Sequence, residues 1–436
     1  MPLRSPHDRD IARLAVPAFG SLLAEPLYLL VDTAVVGRLG TDQLAGLAVA
    51  GTVLLSAHSL LIFLAYGTTP TVGRLVGAGR KREAAEVGIA SLWLAGALGF
   101  AVSLALAAAG DPLLRALGAG GDVLQAGRLY LRVSLLGFPF LLVMLAGAGV
   151  FHGHQDTRRP LVVAVASAGG NLVLEIVLIY GFGRGLGASA LATVLAQVAA
   201  AAAYGTVLAR QARRRGASLR PDGRAMLALL RAGQALVVRT AALRGAFTLS
   251  TAIAARIGVA ELAAHQVALQ LWSALALALD AVAVAGQALT ARWLGAGLDR
   301  QAREAAGRMV QLDVALGVLA GLVVAAGGRL LAPVFTDDPR VVDVVATLAV
   351  WVGVTQPIGG LVFALDGILI GAGDLAFLAR SMVASAVVFG LWAGAVLVLD
   401  AGIGWLWAGL TVFMLVRAAA MSQRYRSERW IRVGAK

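Results

Sequence analysis

Residues 11–37 read IARLAVPAFGSLLAEPLYLLVDTAVVG, an apolar run that carries one carboxylate deep in its length, Asp32, and two prolines, Pro17 and Pro26. A helix that crosses a bilayer takes about 20 apolar residues, and this run exceeds that. A charge at membrane depth costs at least about 2.5–3.5 kcal/mol on insertion scales, so an acid is kept there for a task. Each proline removes a backbone donor and clashes with the turn before it, which predicts a helix bent on both sides of Glu25. A bent helix with a buried acid is a candidate moving part, and Pro26 is its candidate hinge.

The rest of the chain is of the same kind. Of 436 residues, 59% are hydrophobic and 14% charged, with a mean hydropathy of +0.82; a soluble domain is about half apolar and a quarter charged. About twelve apolar stretches, from roughly 11–37 to roughly 402–422, are separated by short loops. The expected fold is an all-α integral membrane protein with twelve transmembrane helices and no sizeable soluble domain. The chain enters its first span after MPLRSPHDRD, with no small-residue cleavage site, so an uncleaved first helix is expected. Cysteine is absent, which excludes disulfides and thiol chemistry. The net charge of +13 does not call for a nucleic acid. Lys and Arg concentrate on the loops of one side, most densely in ARQARRRG at 209–216. That bias places both termini in the cytoplasm, and basic loops facing anionic lipid need no nucleic-acid partner.

Shifting the sequence by half its length, 218 residues, superposes one half on the other without a gap. Arg38-Leu39-Gly40 falls on Arg256-Ile257-Gly258, Arg74 on Arg292, and Gly77-Ala78-Gly79 on Gly295-Ala296-Gly297. Pro139 falls on Pro357, Gly149 on Gly367, Gly153 on Gly371 and Asp156 on Asp374. A single offset holding Arg, Pro and Asp matches is a duplication, not compositional chance. Each half has an even number of spans, so the repeats are parallel and related by an axis along the membrane normal. The expected organisation is a first lobe at 1–210 with helices 1–6, a cytoplasmic linker at 211–225, and a second lobe at 226–436 with helices 7–12 and a short tail. Two such six-helix bundles around a central cavity form a transporter plan. One chain supplies both lobes, so a monomer is expected.

The duplication also isolates what is not repeated. Asp32 falls on Ser250, Glu175 on Ala393 and Asn171 on Phe389, whereas Thr193 keeps its type at Thr411. An acidic cluster is therefore peculiar to the first half. At about 1.5 Å per residue, Asp32, Glu175 and Thr193 each lie roughly 8–9 Å inside the outer ends of spans one, five and six. Asn171 and Glu175, four apart, share a helix face. Two carboxylates in low dielectric do not both stay ionised cheaply, a physical route to taking up and releasing a proton. The same carboxylate, amide and hydroxyl oxygens suit a dehydrated Na+. The competing reading is a hydrogen-bonded cluster that fastens the three spans.

The second half has Asp280 in span eight, Asp366 near the inner end of span ten, and Arg239 and Arg244 in span seven. Pairing is the usual way to tolerate such charges, and structural and functional roles stand open for this second polar site. An unpaired arginine on the cavity would favour anionic cargo. The patches Gly77–Gly79, Gly295–Gly297 and Gly371–Gly373 follow no strand and precede no Lys-Ser/Thr, so they are turns, not phosphate loops. His58, His152, His154 and His265 have no metal-ligand spacing within a span. No zinc, triad or cofactor pattern points to an enzyme.

Four stretches, LAVPAFGSLLAEPLYLLVDTAVVGRLG, GAGVFHGHQDTRRP, LDAVAVAGQALTARWLGAG and ALDGILIGAGD, give a resemblance to the multidrug and toxic compound extrusion (MATE) family, most like its DinF-like branch, over 12–421. The resemblance implies twelve helices in two lobes and export of small amphipathic, often cationic compounds in exchange for H+ or Na+. It places the family's first-span acid on Asp32, and the Asn, the acid and the Thr that complete the first-lobe site on Asn171, Glu175 and Thr193. Acids that other branches use in span seven have no match here, where Arg239 and Arg244 stand. The expected function is multidrug efflux by secondary active antiport in the cell membrane, with H+ as coupling ion and Na+ as the alternative. The rivals are a lipid-linked sugar flippase or an organic anion exporter.

Overall fold

A backbone in hydrocarbon has to satisfy its N–H and C=O groups within its own segment, so long apolar runs wind into helices. A computed structural model describes residues 5–182 and 185–434. Among them there is no strand, and the α-helices are α1 (Asp8–Gly37), α2 (Thr41–Leu61), α3 (Phe63–Gly77), α4 (Lys81–Ala116), α5 (Gly121–Gly153), α6 (Arg158–Ile176), α7 (Leu186–Arg214), α8 (Gly223–Ile257), α9 (Val259–Gly295), α10 (Asp299–Leu331), α11 (Pro339–Gly371), α12 (Leu375–Val398) and α13 (Gly402–Arg426). Taking α2 and α3 as one span broken at Ile62, 12 helical segments of the described residues are long and apolar enough to cross a membrane. α1 runs on as helix through both Pro17 and Pro26.

The duplication reappears in the helix bounds. Thr41–Gly77 and Val259–Gly295 are 218 residues apart at both ends, as are Gly121–Gly153 and Pro339–Gly371. It reappears in the packing as well. Without a hydrophobic drive between helices in lipid, close approach through small residues holds a bundle together. A Cβ built on Gly149 would lie 2.7 Å from the Ala65 carbonyl oxygen, and one on Gly367 2.3 Å from that of Ala283. Likewise Gly99 abuts Pro139 at 2.4 Å and Gly317 abuts the Gln356–Pro357 backbone at 2.4 Å. The Gly and Pro matches of the sequence are thus the contact points of each bundle. Overpacking of this kind costs about 1–3 kcal/mol. Gly367→Ala is expected to lower the melting temperature in detergent, whereas Gly390→Ala, with nothing within 4 Å of its added carbon, is expected to leave it unchanged or raise it.

The glycine patches end helices. Gly79, Gly297 and Gly373 have φ of 74°, 76° and 74°. The next residue's N–H reaches back to close the turn: Arg80 to Leu75 O, Leu298 to Trp293 O and Asp374 to Leu369 O, each at 2.9 Å. These are C-terminal caps that need a left-handed residue.

The chain divides into two compact units, residues 20–234 and residues 1–19 with 235–436. Residues 8–19 of α1 thus belong to the second unit and the remainder to the first. In the second unit, Asp8 takes both Nε (2.6 Å) and Nη2 (2.9 Å) of Arg308. In the first, a Cβ on Gly233 of α8 would lie 2.1 Å from the Phe63 ring.

Candidate functional site

In the first unit α1, α6 and α7 bring their polar side chains to one level. Asp32 lies near the end of α1, Glu175 in the last turn of α6, and Ser189 in the first turn of α7. Directly after Glu175 the chain winds as a π-helical turn, Val177–Gly181, a local irregularity that often accompanies functional sites. Asp32 is 2% exposed and Glu175 0%. Ser189 Oγ donates to Asp32 Oδ1 at 2.8 Å. Glu175 lies against Asp32 and Ser189, yet among the described residues neither of its carboxylate oxygens has an aligned hydrogen-bond partner. Asn171, one turn earlier on the same face of α6, is buried with both amide atoms likewise unpartnered. Two buried carboxylates side by side repel unless a proton or a cation sits with them.

A hydrogen-bonded string from Tyr28, at the neighbouring cavity, ends on the Ser189 backbone carbonyl, next to the Ser189 hydroxyl that bonds Asp32. Tyr28 OH and Thr193 Oγ1 are 2.8 Å apart, and Thr193 donates to Ser189 O at 3.2 Å. Thr193 has one proton, so Tyr28 must be the donor to it; the Ser189 hydroxyl bonds Asp32 separately. The cavity, about 560 Å³, is lined by Tyr28, Asp32, Asn171 and Thr193 together with Leu, Ala and Phe side chains. Its α1 wall is the stripe Leu22, Glu25, Tyr28, Leu29 and Asp32, one face at helical spacing. Pro26 lies half-buried beside that stripe. Glu25 and His58 meet on the cavity wall at 3.9 Å, Glu25 Oε1 to His58 Nδ1. The oxygens open to a small monovalent cation are those of Glu175, Asn171 and Asp32. The described residues hold no group of three or more His, Cys, Asp or Glu fit for a metal.

The second half fills the equivalent place with a neutral network. Ser250, Trp407 and His265 stand where the first half has Asp32, Ser189 and Leu47. Trp407 Nε1 donates to His265 Nδ1 at 3.2 Å. An indole can only donate, so the imidazole proton sits on Nε2, which faces Ser250 Oγ at 3.2 Å. Ser250 passes its own proton to Phe247 O at 2.7 Å. Among the described residues these three side chains thus satisfy one another and the backbone, with no carboxylate among them.

The second-half charges divide into two groups. Asp366 Oδ2 takes Arg239 Nη2 at 2.5 Å and Arg417 Nη2 at 2.7 Å, with Arg417 also over the Phe413 ring at 5.7 Å. Arg244 is exposed on α8 and Asp280 half-buried on α9; Asp313 of α10 is buried, with neither carboxylate oxygen hydrogen-bonded among the described residues. Sequence reasoning missed Ser189, Glu25, His58, Asp313 and Arg417. The last two had a usable signal, because their first-half counterparts are Ala95 and Ala199.

Comparison with known proteins finds the family model described as MatE matching residues 17–177 and 236–396, one stretch of equal length in each half. The chain is 32% identical over 430 residues to Protein DETOXIFICATION 44, chloroplastic, of Arabidopsis thaliana, covering 95% of this chain and 81% of that protein. It is 28% identical over 428 residues to DNA damage-inducible protein F of Escherichia coli strain K12, covering 96% and 92%. Among solved structures, a multidrug resistance MATE family transporter of the MOP superfamily in an outward-facing conformation superposes with a TM-score of 0.87 at 21% identity, over 98% of this chain and 96% of that one.

Proposed function

The chain belongs to the MatE family of transporters, and from that premise we propose that it is a secondary active antiporter that exports small amphipathic cations in exchange for H+. The observation that carries this reading is the position of Asp32, at the wall of an apolar cavity and backed by a buried carboxyl, Glu175, that has no hydrogen-bond partner among the described residues. A proton arriving at Asp32 neutralises the pair, and a cation in the cavity is favoured when the pair is charged. Ion and cargo thus compete for one site, which is the differential binding that exchange requires. α1 supplies Asp32 and the lining stripe together, so a change of its packing at Pro26 moves both at once.

Na+ is the alternative ion at the oxygens of Asp32, Asn171, Glu175 and Thr193. The organic anion exporter and the lipid-linked sugar flippase stay the alternative cargo readings: Arg239 is engaged by Asp366, whereas Arg244 is exposed on α8. The distribution of Lys and Arg supports a reading with both termini in the cytoplasm, in the cell membrane, and with two lobes of one chain forming a functional monomer. The reading requires no cofactor and no catalysis.

The test is efflux of ethidium, a planar monovalent cation, from proteoliposomes under a pH gradient or a Na+ gradient imposed separately. Efflux under the pH gradient alone is expected. Efflux under Na+ alone would keep the exchange and change the ion; none under either would sink the antiport of cations. Glu25 lies in open space beside His58 with a 57% exposed side chain. An exposed ion pair contributes about 0.2–1 kcal/mol, so Glu25→Gln is expected to weaken ethidium binding no more than about fivefold, read from binding isotherms.

A further inference from the structure

The cavity of the first unit has two acids on its wall, and the exchange of H+ for cargo uses one of them. Asp32 and Glu25 both stand on the α1 stripe that faces the cavity. Seven residues separate them, so they share one face of the helix about 10 Å apart along its axis. Asp32 is 2% exposed, whereas the Glu25 side chain is 57% exposed. His58 approaches Glu25 at 3.9 Å, beyond hydrogen-bond reach, so the Glu25 carboxylate stays open to a ligand. Among the described residues that line the cavity there is no Lys and no Arg. A positive charge brought to either acid therefore meets no guanidinium or ammonium on the wall.

Between the two acids the wall is aromatic and apolar. Tyr28 stands between them on α1, its hydroxyl 2.8 Å from Thr193 Oγ1, and Leu47, Leu54 and Phe138 line the same space. A second, independent feature at the Asp32 end points to a ligand. Asn171 lines the cavity, is 2% exposed and leaves both amide atoms unpartnered among the described residues. Its amide oxygen is a buried acceptor without a donor, which an ammonium N–H supplies. The second half has no such arrangement: Glu25, His58 and Asp32 fall on Leu243, Ala276 and Ser250.

We propose that this cavity is a two-point site for elongated dications, with one ammonium at Asp32 and Asn171, the other at Glu25, and an apolar spacer between them. This rests on the reading of the cavity as a cation site and names the class of cargo that fills it. A monocation occupies the Asp32 end and leaves Glu25 to water. A dication whose charges are too close together reaches one acid at a time, and one of matching length reaches both.

The experiment uses purified full-length protein, with unbranched α,ω-diaminoalkanes of increasing length and 1-aminoalkanes of the same chain lengths as competitors of ethidium. The quantity read is the ratio of diamine to monoamine affinity at each length, in wild type and in Glu25→Gln. Comparing ratios cancels the cost of desolvating the second ammonium and the partitioning of the chains, which are common to both proteins. The wild-type ratio is expected to exceed that of Glu25→Gln by about two- to fivefold, the range of a partly exposed ion pair. That excess should peak where the spacer spans about 10 Å, the separation of the two acids on α1. Glu25→Lys puts a cation at that end, should lower the ratio below that of the wild type, and decides the matter where Glu25→Gln does not fold. Equal ratios at every length, an excess that does not depend on length, or diamines that do not compete with ethidium overturn the proposal. A wild type that shows the peak but drives no ethidium efflux under either gradient keeps the two-point site and sinks the antiport reading. A wild type that drives efflux without the peak loses the dication site alone.

Discussion

Asp32→Asn is expected to abolish gradient-driven efflux while leaving the protein folded and its cavity able to take ethidium. The amide still accepts the Ser189 hydroxyl that now reaches Oδ1 at 2.8 Å, and the Tyr28–Thr193 bond, which leads to the Ser189 carbonyl, is untouched. What is lost is the second carboxylate next to Glu175, and with it the repulsion that a proton or cation relieves. Coupling between two ligands of a transporter is worth about 1–3 kcal/mol, or about 5–150-fold in affinity. Removal of that term should flatten efflux to the passive leak under a pH gradient of either sign, measured with the dye in proteoliposomes. Glu175→Gln should act in the same direction. Thr193→Val should not, since Thr193 only relays Tyr28 to a backbone carbonyl.

Asp366→Asn is the substitution expected to harm folding most. It removes the carboxylate that the buried Arg417 and the half-buried Arg239 now share, on Oδ2 at 2.7 and 2.5 Å. Removing one member of a buried ion pair typically costs about 3–5 kcal/mol, because the remaining charge stays desolvated. The yield of monodisperse protein and its melting temperature should both collapse. Arg417→Met leaves Asp366 and Arg239 as a one-to-one pair and should be far milder. If the two variants were equally stable, the triad would not be holding α8, α11 and α13 together.

Much of this was legible without coordinates, for a definite reason. In a membrane helix polarity is scarce, so Asp32 and Glu175 stand out, and the internal repeat supplies a built-in comparison that marks them as unrepeated. The Gly and Pro matches were legible for the same reason: a close helix crossing tolerates little else, as Gly149 on Ala65 and Gly367 on Ala283 illustrate. Ser189 was not legible, because a serine in an alanine-rich helix is an ordinary residue until Asp32 is seen to face it. Glu25 and His58 lie on different helices and have no spacing to betray them. The expected partnership of Asp280 and Asp366 with Arg239 and Arg244 came from depth alone. Depth does not give azimuth: Arg239 turns to Asp366, Arg244 lies exposed, and the second arginine of the triad comes from α13. The prolines of α1 interrupt hydrogen bonding without ending the helix, so Pro26 remains a proposed hinge inside one continuous element.

Competition between ion and cargo at Asp32 is most directly read from ethidium binding isotherms of the solubilised protein across a pH series, for wild type and Asp32→Asn. A cation is favoured by the charged pair and disfavoured once a proton has neutralised it. Wild-type affinity should therefore rise with pH, with protons released on binding, and most of that dependence should vanish in Asp32→Asn. A wild-type affinity indifferent to pH, or an Asp32→Asn variant that keeps the full dependence, would contradict coupling through Asp32.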